Sequence, residues 1–502
     1  MAKIADLIVF ECLKVHKIKV EPKRVISVYT LEKANNETVS NEFIYSYKEN
    51  FFDVKNAGDI NLASVMAAQA AINYGLFCKK IVFDGLYDEA DKRFIKDMTE
   101  NTSREIFVNK FLMPNEFLSP PFDKIEPEQK HKYTGAEIIF ENNDYQNTVL
   151  KKESSKPDSE KFVILSSGGK DSLLSYGILN ELYETHPVFI NESGRHWFTA
   201  YNSYLYFKEH EPNTVKPWCN SDRIFNWMVK QMPFIKSNFQ DIRADIYPIR
   251  LWTVAIFLFG VLPVARKRNI RNIIIGNEYD TTLKLNYNGI THYAALYDQS
   301  KYFDNALTRY YKKKGWGFYQ FSILRSLSEL LILKTLVKRY PELQEHQISC
   351  HASHKENDIM KPCGKCEKCR RIVGMLKVLD ENPERCGYDE AKISKCLKAL
   401  ETKKVKQIGS DAQHLFYLLN TKGIINSNSE IKKMAKPNPQ IMGLRFDNER
   451  SMLSDLPVEI RKKLFDILKL YAVGSYKLQN RKWVQFDFNE VDTDIPYFLS
   501  EE

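Results

Sequence analysis

The segment Ser167 to Ser172, with the sequence Ser-Gly-Gly-Lys-Asp-Ser, restricts the possible folds of this chain more than any other. It follows an apolar run at 162–165, which predicts a buried strand of a parallel sheet. After it, Leu174, Ile178 and Leu182 recur every four residues, which predicts a helix with one buried face. A strand, a glycine turn and a helix in this order place free backbone N–H groups and the positive end of a helix dipole at the turn, where they attract a polyphosphate.

Each residue type in this loop suits a nucleotide site. The two adjacent glycines let the backbone approach phosphates closely and adopt positive φ. Lys170 supplies a cation, Asp171 can hold Mg²⁺, and the serine hydroxyls are further donors. The spacing is not the Walker pattern, which needs four residues between Gly and Gly-Lys-Ser/Thr. The predicted nucleotide-binding residues are Ser167, Gly168, Gly169, Lys170, Asp171 and Ser172, of which Lys170, Asp171 and Ser172 are the catalytic candidates. A glycine turn without a ligand is the alternative.

Strand and helix candidates alternate over the middle of the chain. Further strands are expected at 187–190 and 272–275, and the apolar run 251–265 lies before the second of them. This run is shorter than the roughly 20 apolar residues that span a membrane, so it predicts a buried helix. The segment 326–329 matches a capping box, which predicts a helix from there through Val337. The alternation predicts an α/β fold with a doubly wound parallel sheet.

The length of 502 residues predicts two or three domains. We expect an N-terminal α/β domain over 1–145, a core with the nucleotide loop and a metal site over 160–380, and a mainly helical C-terminal region over 385–502. The polar segment 151–160 contains Pro157 and no apolar residue, which indicates a linker or surface loop.

Composition indicates a soluble globular protein without a membrane partner, since 43% of the residues are hydrophobic and 27% are charged. Asp6, Glu11 and Lys14 argue against a signal peptide. The net charge of +9 allows a nucleic-acid partner, but the basic residues lie in short separate clusters, which makes that the less favoured interpretation. Nine cysteines, four of them crowded within 350–369, suit metal binding in a reducing compartment, so a cytoplasmic location is expected.

Four cysteines have the spacing of a metal site. Three follow one another at two-residue gaps, and residues 351–362 separate them from the fourth. The predicted metal ligands are Cys350, Cys363, Cys366 and Cys369. Four thiolates complete a tetrahedral shell for Zn²⁺ in a structural role. An iron–sulfur cluster is the alternative, and His351 and His354 are neighbours that could also be ligands.

The loop resembles that of the N-type ATP pyrophosphatases, which include NAD and GMP synthetases, tRNA thiolases and 7-cyano-7-deazaguanine synthases. The cysteine pattern, followed by Arg370, is similar to that of the 7-cyano-7-deazaguanine synthase family in particular. Segments 247–250, 275–280 and 322–329 resemble its Pro-x-Arg segment, a strand end with substrate and nucleotide contacts, and its last substrate-side loop and helix. The likeness covers roughly residues 160 to 380.

The chain also departs from this family. Cys350 lies farther upstream than the family spacing, and a segment of about 50 residues is inserted at 193–242. About 150 residues precede the core and more than a hundred follow it, which suggests a specialised relative. Similar enlarged forms occur among bacterial anti-phage defence proteins. The substrate-contact candidates, one of them in the insertion, are Arg195, Arg250, Gly276, Asn277, Glu278 and Asp280.

The resemblance implies an ATP-dependent synthase or ligase that adenylates a carboxylate, such as that of 7-carboxy-7-deazaguanine, and releases pyrophosphate and AMP. Formation of an amide or nitrile, or conjugation to a protein amine, would follow. Lys170 would stabilise the α-phosphate transition state and Asp171 would place Mg²⁺. The implied cofactors are ATP, Mg²⁺ and Zn²⁺. Two alternatives stay open: a tRNA-thiolating enzyme and a nucleotide-binding scaffold without turnover.

Overall fold

The structure, a computed structural model, describes residues 2–141, 150, 153–242, 246–407 and 409–501. It has a mixed α/β architecture in which two larger sheets occupy the N-terminal and middle regions. Among the described helices, none combines the length and the apolar content that crossing a bilayer requires.

The region up to residue 141 forms one mixed sheet with two long helices. Its strands and α-helices are β1 (Phe10–Val15), β2 (Lys19–Glu21), β3 (Arg24–Lys33), β4 (Thr38–Ser46), α1 (Ala57–Ala68), β5 (Cys78–Asp84), α2 (Glu89–Ile106) and β6 (Glu137–Glu141). The strand order is β6-β5-β1-β3-β4, with β2 paired to β3. β3 contains the run 25–29 and β5 the run 80–83, both rich in β-branched and aromatic residues.

The middle region carries the glycine loop at 167–172. Its elements are β7 (Asp158–Leu165), α3 (Lys170–Asn180), β8 (Glu184–Val188), α4 (Arg195–His210), β9 (Trp218–Cys219), α5 (Ser221–Gln231), α6 (Val254–Lys267), β10 (Ile270–Ile274), β11 (Lys284–Tyr287), β12 (Ile290–Tyr293), α7 (Lys301–Lys314), β13 (Tyr319–Phe321), α8 (Glu329–Arg339), α9 (Pro341–Gln344), β14 (His354–Glu356), β15 (Ile359–Lys361) and α10 (Glu367–Val378). Four of these strands form a parallel sheet in the order β13-β10-β7-β8.

Both faces of the parallel sheet are buried, because successive side chains of a strand point to opposite sides. Phe162 and Ile164 of β7 belong to the hydrophobic core that contains α3 and α8. Val163 and Ile273 belong to the other core, which contains α6 and the N-terminal sheet. This second core runs without interruption from the N-terminal region into the middle region, so the sheets are packed together through α6.

The inserted segment 193–242 is folded rather than a surface loop. It supplies α4, α5 and the short strand β9, which pairs antiparallel with β4 at the edge of the N-terminal sheet. Asn220 strengthens this junction, since its side chain accepts from Ile44 N–H at 2.7 Å and donates to the Glu42 carbonyl at 2.7 Å. The insertion therefore joins the N-terminal sheet to the middle region.

The C-terminal region contains both helices and a sheet. Its elements are α11 (Glu390–Leu400), α12 (Gly409–Thr421), α13 (Ser429–Met434), β16 (Leu444–Phe446), α14 (Val458–Leu468), β17 (Ser475–Gln479) and β18 (Lys482–Phe486). The expectation of a mainly helical region missed the sheet β16-β17-β18. It forms because 475–479 and 482–486 are two short strands joined by a tight turn, in which Asn480 and Arg481 have positive φ.

Several predicted boundaries were displaced. Asp158–Glu160 begin β7 instead of ending a linker, because Asn272 on β10 donates to the Ser159 carbonyl at 2.8 Å and extends the pairing. Residues 151 and 152 of that predicted linker lie outside the described residues. The helix expected from 326 begins at Glu329 and runs to Arg339. Its N-cap is Ser328, whose hydroxyl accepts from Leu331 N–H at 3.0 Å.

Candidate active site at the glycine loop

The glycine loop joins the end of β7 to the first turn of α3. Gly168 has a φ of 71°, and Gly169 is the N-cap of α3 with extended backbone. No side chain caps the helix from the Gly169 position, so the N–H groups of the first turn stay available for an external acceptor. Ser172 turns inward and donates to the Gly169 carbonyl at 3.1 Å. The loop thus has the geometry that its sequence predicts for anion binding.

Two other segments hold the loop in place. A Cβ atom added at Gly168 would lie 2.5 Å from the carbonyl oxygen of Thr199 on α4. On the other side, the backbone N–H of Ile348 donates to the Gly168 carbonyl at 3.1 Å. Gly168 is therefore needed both for its positive φ and for the close approach of α4.

Lys170 is the buried centre of an ionic cluster. Its Nζ lies 2.8 Å from Asp171, 3.3 Å from Glu329 and 3.7 Å from Glu278. Burial alone would lower the pKa of Lys170, but these three carboxylates outweigh it and raise the pKa. Two of the predicted site residues, Asp171 and Glu278, thus lie beside Lys170. Glu329, at the start of α8, is the third carboxylate of the cluster.

Glu329 bridges Lys170 to a second cation, Arg371. The Glu329 carboxylate lies 3.2 Å from Arg371 Nε and accepts from Gln407 at 2.7 Å. Although burial favours the neutral acid, the charges of Lys170 and Arg371 lower the pKa of Glu329 to about 2. Burial raises the pKa of Glu278, and the Glu329 charge adds to the effect against the opposing charge of Lys170.

The predicted contacts that follow β10 lie beside this cluster. Gly276 packs against Asp171, since an added Cβ would lie 2.9 Å from the Asp171 carbonyl carbon. Asn277 is buried, and its Nδ2 has no hydrogen-bond partner among the described residues. Glu278 and Asp280 line a cavity of about 150 Å³ next to Lys170. Gly276 and Glu278 thus contact Asp171 and Lys170, and Asp280 lines the same cavity as Glu278.

Arg250 lies at a different cavity, of about 400 Å³, formed by the inserted segment and by 246–250. Its guanidinium bonds Asp222 at 2.7 Å and stacks on the Tyr247 ring, whose centroid is 3.8 Å away. Arg195 begins α4, but its side chain lies outside the part of the chain that is described. The predicted substrate residues are thus divided between two cavities.

His196 contacts Tyr247, a lining residue of the larger cavity. Its Nε2 is 2.8 Å from the Tyr247 hydroxyl. Burial, together with the charges of Arg250 and Lys368, lowers the pKa of His196 to about 4. Burial also lowers the pKa of Lys368, and the charges of Arg371 and Lys170 act in the same direction.

The four predicted metal ligands converge. Their ligand atoms all lie within 4.8 Å of one another, with Sγ–Sγ distances of 3.9 Å for Cys350–Cys366, 3.8 Å for Cys363–Cys369 and 3.5 Å for Cys366–Cys369. A tetrahedral shell with Zn–S bonds of about 2.3 Å places its sulfurs about 3.8 Å apart. The cysteines therefore suit one metal ion such as zinc. His354 is exposed, and neither it nor His351 belongs to the group.

Backbone geometry also favours thiolates at this position. The N–H of Ala352 and of Cys363 both lie 3.3 Å from Cys350 Sγ, and the N–H of Cys366 lies 3.3 Å from Cys363 Sγ. Such donors stabilise a negative sulfur. Gly364, with a φ of 66°, forms the tight turn between the second and third cysteines.

The cysteine site fixes the start of α10, because Cys366 is its N-cap and Cys369 lies in its first turn. Two residues later, Arg371 reaches Glu329. The arginine of the family pattern, Arg370, instead contacts the Lys365 carbonyl at 3.2 Å. The metal site and the Lys170 cluster are thus joined through one helix.

The sequence prediction missed four residues of this cluster: Glu329, Arg371, Gln407 and Asp411. Glu329 had one available signal, an acidic residue in the first turn of a helix that follows the substrate-side loop. Gln407 and Asp411 come from the C-terminal region, and no local pattern marks them. Comparisons of the chain with protein-family models, curated proteins and solved structures found no match.

Proposed function

We propose that the chain is an ATP-dependent synthase or ligase that adenylates a carboxylate on a 7-deazaguanine. A carboxylate oxygen attacks the α-phosphorus of ATP, and the bond to the bridging oxygen of the β-phosphate breaks. Pyrophosphate leaves, and an acyl adenylate remains. An amine then attacks the carbonyl carbon, AMP leaves with the bonding electrons, and the amine loses a proton to give an amide.

The observation that carries this proposal is the glycine loop at the uncapped start of α3. A phosphate seated there would accept from first-turn N–H groups and meet the helix dipole. Lys170 is fixed beside the loop by three carboxylates, so its ammonium is held in position before a substrate binds. Such preorganisation supplies most of the rate enhancement in phosphoryl and adenylyl transfer.

The charge balance of the cluster fits a requirement for Mg²⁺. Asp171 and Glu329 balance the charges of Lys170 and Arg371, while burial favours the neutral form of Glu278. A polyphosphate would add further negative charge. Asp171 is the residue that would hold Mg²⁺, which would neutralise part of the phosphate charge.

The four-cysteine site favours the deazaguanine branch over tRNA thiolation. Sulfur separations of 3.5 to 3.9 Å suit a single ion, whereas in a four-iron cluster each thiolate binds a different iron. Cys350, Cys363, Cys366 and Cys369 would hold zinc as a structural cross-link. The amine acceptor is ammonia or an amine of another protein.

The test is pyrophosphate release by the full chain with ATP, Mg²⁺ and 7-carboxy-7-deazaguanine. We expect release that depends on the carboxylate, so 7-deazaguanine itself should not stimulate it. Lys170→Ala should reduce the rate by about 100-fold or more, because a preorganised cation is lost. Lys462→Ala, which removes an exposed lysine of α14, is the matched control. The proposal fails if wild type releases no pyrophosphate, or if Lys170→Ala releases it at the wild-type rate.

A further inference from the structure

We infer that the C-terminal region completes the substrate site, with Asp411 and Gln407 as specificity-determining residues that accept the N–H donors of a 2-aminopyrimidinone edge. This inference rests on the proposed function, because the 7-deazaguanine carries such an edge. It assigns a role to a region that lies outside the likeness to known synthases.

The site is the cavity of about 150 Å³ beside Lys170. Its lining combines residues of the middle region, among them Glu278, Asp280 and Glu329, with Gln407 and Asp411 of the C-terminal region. Small-molecule sites usually enclose at least about 300 Å³. This cavity is therefore large enough for one edge of a substrate and not for a whole nucleotide.

Asp411 offers one oxygen to this cavity. It is only 4% exposed, and its Oδ2 is held by Arg445 at 3.3 Å and by the Ser410 hydroxyl at 3.3 Å. Its Oδ1 is buried without a hydrogen-bond partner in the part of the chain that the structure describes. A buried acceptor in this state costs free energy unless a ligand supplies a donor.

A side-chain oxygen of Gln407 and two carboxylate oxygens of the cavity also lack a hydrogen-bond donor among the described residues. Gln407 donates from Nε2 to Glu329 at 2.7 Å, which leaves its Oε1 without a donor among the described residues. Glu278 Oε2 and Asp280 Oδ1 also have no hydrogen-bond donor within that part of the chain, although Lys170 and Arg450 lie 3.7 and 3.9 Å away. Unpaired acceptors from both the middle and the C-terminal region point to a ligand that brings several donors.

The spacing of these oxygens excludes a single bare ion as the best occupant. Among the described residues, the four cysteines are the one group of three or more potential ligands whose atoms lie within 4.8 Å of one another. The carboxylate oxygens around the cavity are too widely spaced to share one ion. A planar ligand with donors on two adjacent positions can instead reach two neighbouring acceptors. The ring N–H and exocyclic amino group of a guanine-type base are such donors.

The C-terminal part of the lining is firmly attached to the rest of the site. Arg445 is buried, stacks over the Tyr279 ring at 4.0 Å and donates its backbone N–H to the Ser326 carbonyl at 2.8 Å. Ser328, the N-cap of the helix that carries Glu329, donates to the Ile441 carbonyl at 2.6 Å. Asp411 and Glu329 are thereby held at a fixed separation before a ligand binds, as specificity requires.

The test compares calorimetric binding of 7-carboxy-7-deazaguanine with that of its analogue without the 2-amino group. We expect wild type to prefer the amino compound by about 10-fold to 100-fold, because a hydrogen bond to a buried acceptor is lost in the analogue. Asp411→Asn should reduce this preference to about threefold or less. In this variant the Arg445 guanidinium would hydrogen-bond the remaining side-chain oxygen at position 411. The new NH₂ group would then face the N–H donors of the base, where no hydrogen bond can form.

Asp91→Asn is the matched control, since Asp91 is also buried and pairs with Lys314, and neither residue lines the cavity. It should keep the wild-type preference. If Asp411→Asn does not fold, Gln407→Met gives the same comparison. Equal binding of the two compounds by wild type, or an unchanged preference in Asp411→Asn, would overturn the inference. Because binding needs no turnover, this outcome is distinct from absent pyrophosphate release, which would overturn the proposed function.

Discussion

The backbone N–H of Ile348 donates a hydrogen bond to the carbonyl oxygen of Gly168, with 3.1 Å between the two atoms. Ile348 lies two residues before the first metal-ligand cysteine, and Gly168 lies at the turn of the glycine loop. The segment that leads into the metal site therefore also forms one wall of the candidate nucleotide site. Substitution of one of these cysteines should consequently alter the geometry of the glycine loop.

Removal of one thiolate tests this connection. Cys366→Ser should lower the metal content from one ion per chain to nearly none, lower Tm and weaken binding of Mg²⁺–ATP, because Arg371 and Ile348 lose their fixed positions. Elemental analysis, thermal unfolding and calorimetry measure the three effects. Cys12→Ser, on the N-terminal sheet, should change none of them. Iron with sulfide in the wild type, or unaltered ATP binding in the variant, would contradict this prediction.

Gly168 should be the most sensitive glycine of the loop. Gly168→Ala forces a Cβ to 2.5 Å from the Thr199 oxygen in addition to imposing a left-handed conformation on alanine. Gly423 also has positive φ but open space around it, so Gly423→Ala should cost only the conformational strain of about 1–2 kcal/mol. Thermal unfolding of both variants separates the two effects. Equal losses of Tm would show that the close contact with α4 contributes nothing.

Glu329→Gln should destabilise the protein, because Lys170 and Arg371 would stay buried with less compensation. Removing one partner of a buried ion pair costs about 3–5 kcal/mol. The pKa of Glu329 is lowered from 4.5 to about 2, so its contribution is complete above about pH 4.5 and is lost as the pH falls toward 2.

Unfolding at several pH values measures this difference. The gap in stability between wild type and Glu329→Gln should be widest near neutral pH and should narrow in acid. Glu345→Gln, which neutralises an exposed acid on the surface, is the control and should match wild type throughout. A gap that stays constant down to pH 2 would refute the assigned role of Glu329.

The contribution of Asp411 to stability should change with pH in the opposite direction to that of Glu329. Burial, together with the charges of Asp280 and Glu329 and against that of Arg445, raises the pKa of Asp411 from 3.8 to about 7. The folded state then holds a proton that the unfolded state has released, so stability falls as the pH rises from about 4 to 7. Asp411→Asn should therefore gain stability relative to wild type over that range, by at most roughly 4 kcal/mol. A stability difference between Asp411→Asn and wild type that is the same at pH 4.5 and pH 8, measured by thermal unfolding, would contradict the raised pKa of Asp411.

The features that the sequence predicts well are local. The glycine loop and the cysteines are recognisable because a few neighbouring residues determine their geometry, and the structure places both as expected. Gly276 to Asp280 are also brought to Lys170, since the carboxyl ends of adjacent parallel strands meet at one edge of the sheet.

The features that the sequence does not reveal depend on contacts between distant segments. Asp411 reaches the site only because Arg445 and Ser326 attach the C-terminal region there. The strand β9 is two residues long, and it exists because the edge of β4 is available to pair with it. Arg370 and Arg371 cannot be distinguished by pattern, and it is the helical direction of α10 that aims Arg371 at Glu329.

The central claim is that a substrate carboxylate attacks the α-phosphorus of ATP. It is tested most directly with 7-carboxy-7-deazaguanine labelled with ¹⁸O in its carboxylate, incubated with the full chain, ATP, Mg²⁺ and ammonium. Our account predicts that one labelled oxygen appears in AMP. The carboxylate oxygen that attacked phosphorus stays bonded to it when the amine displaces AMP from the carbonyl carbon. AMP formed without the label, or label found in inorganic phosphate, would contradict the account.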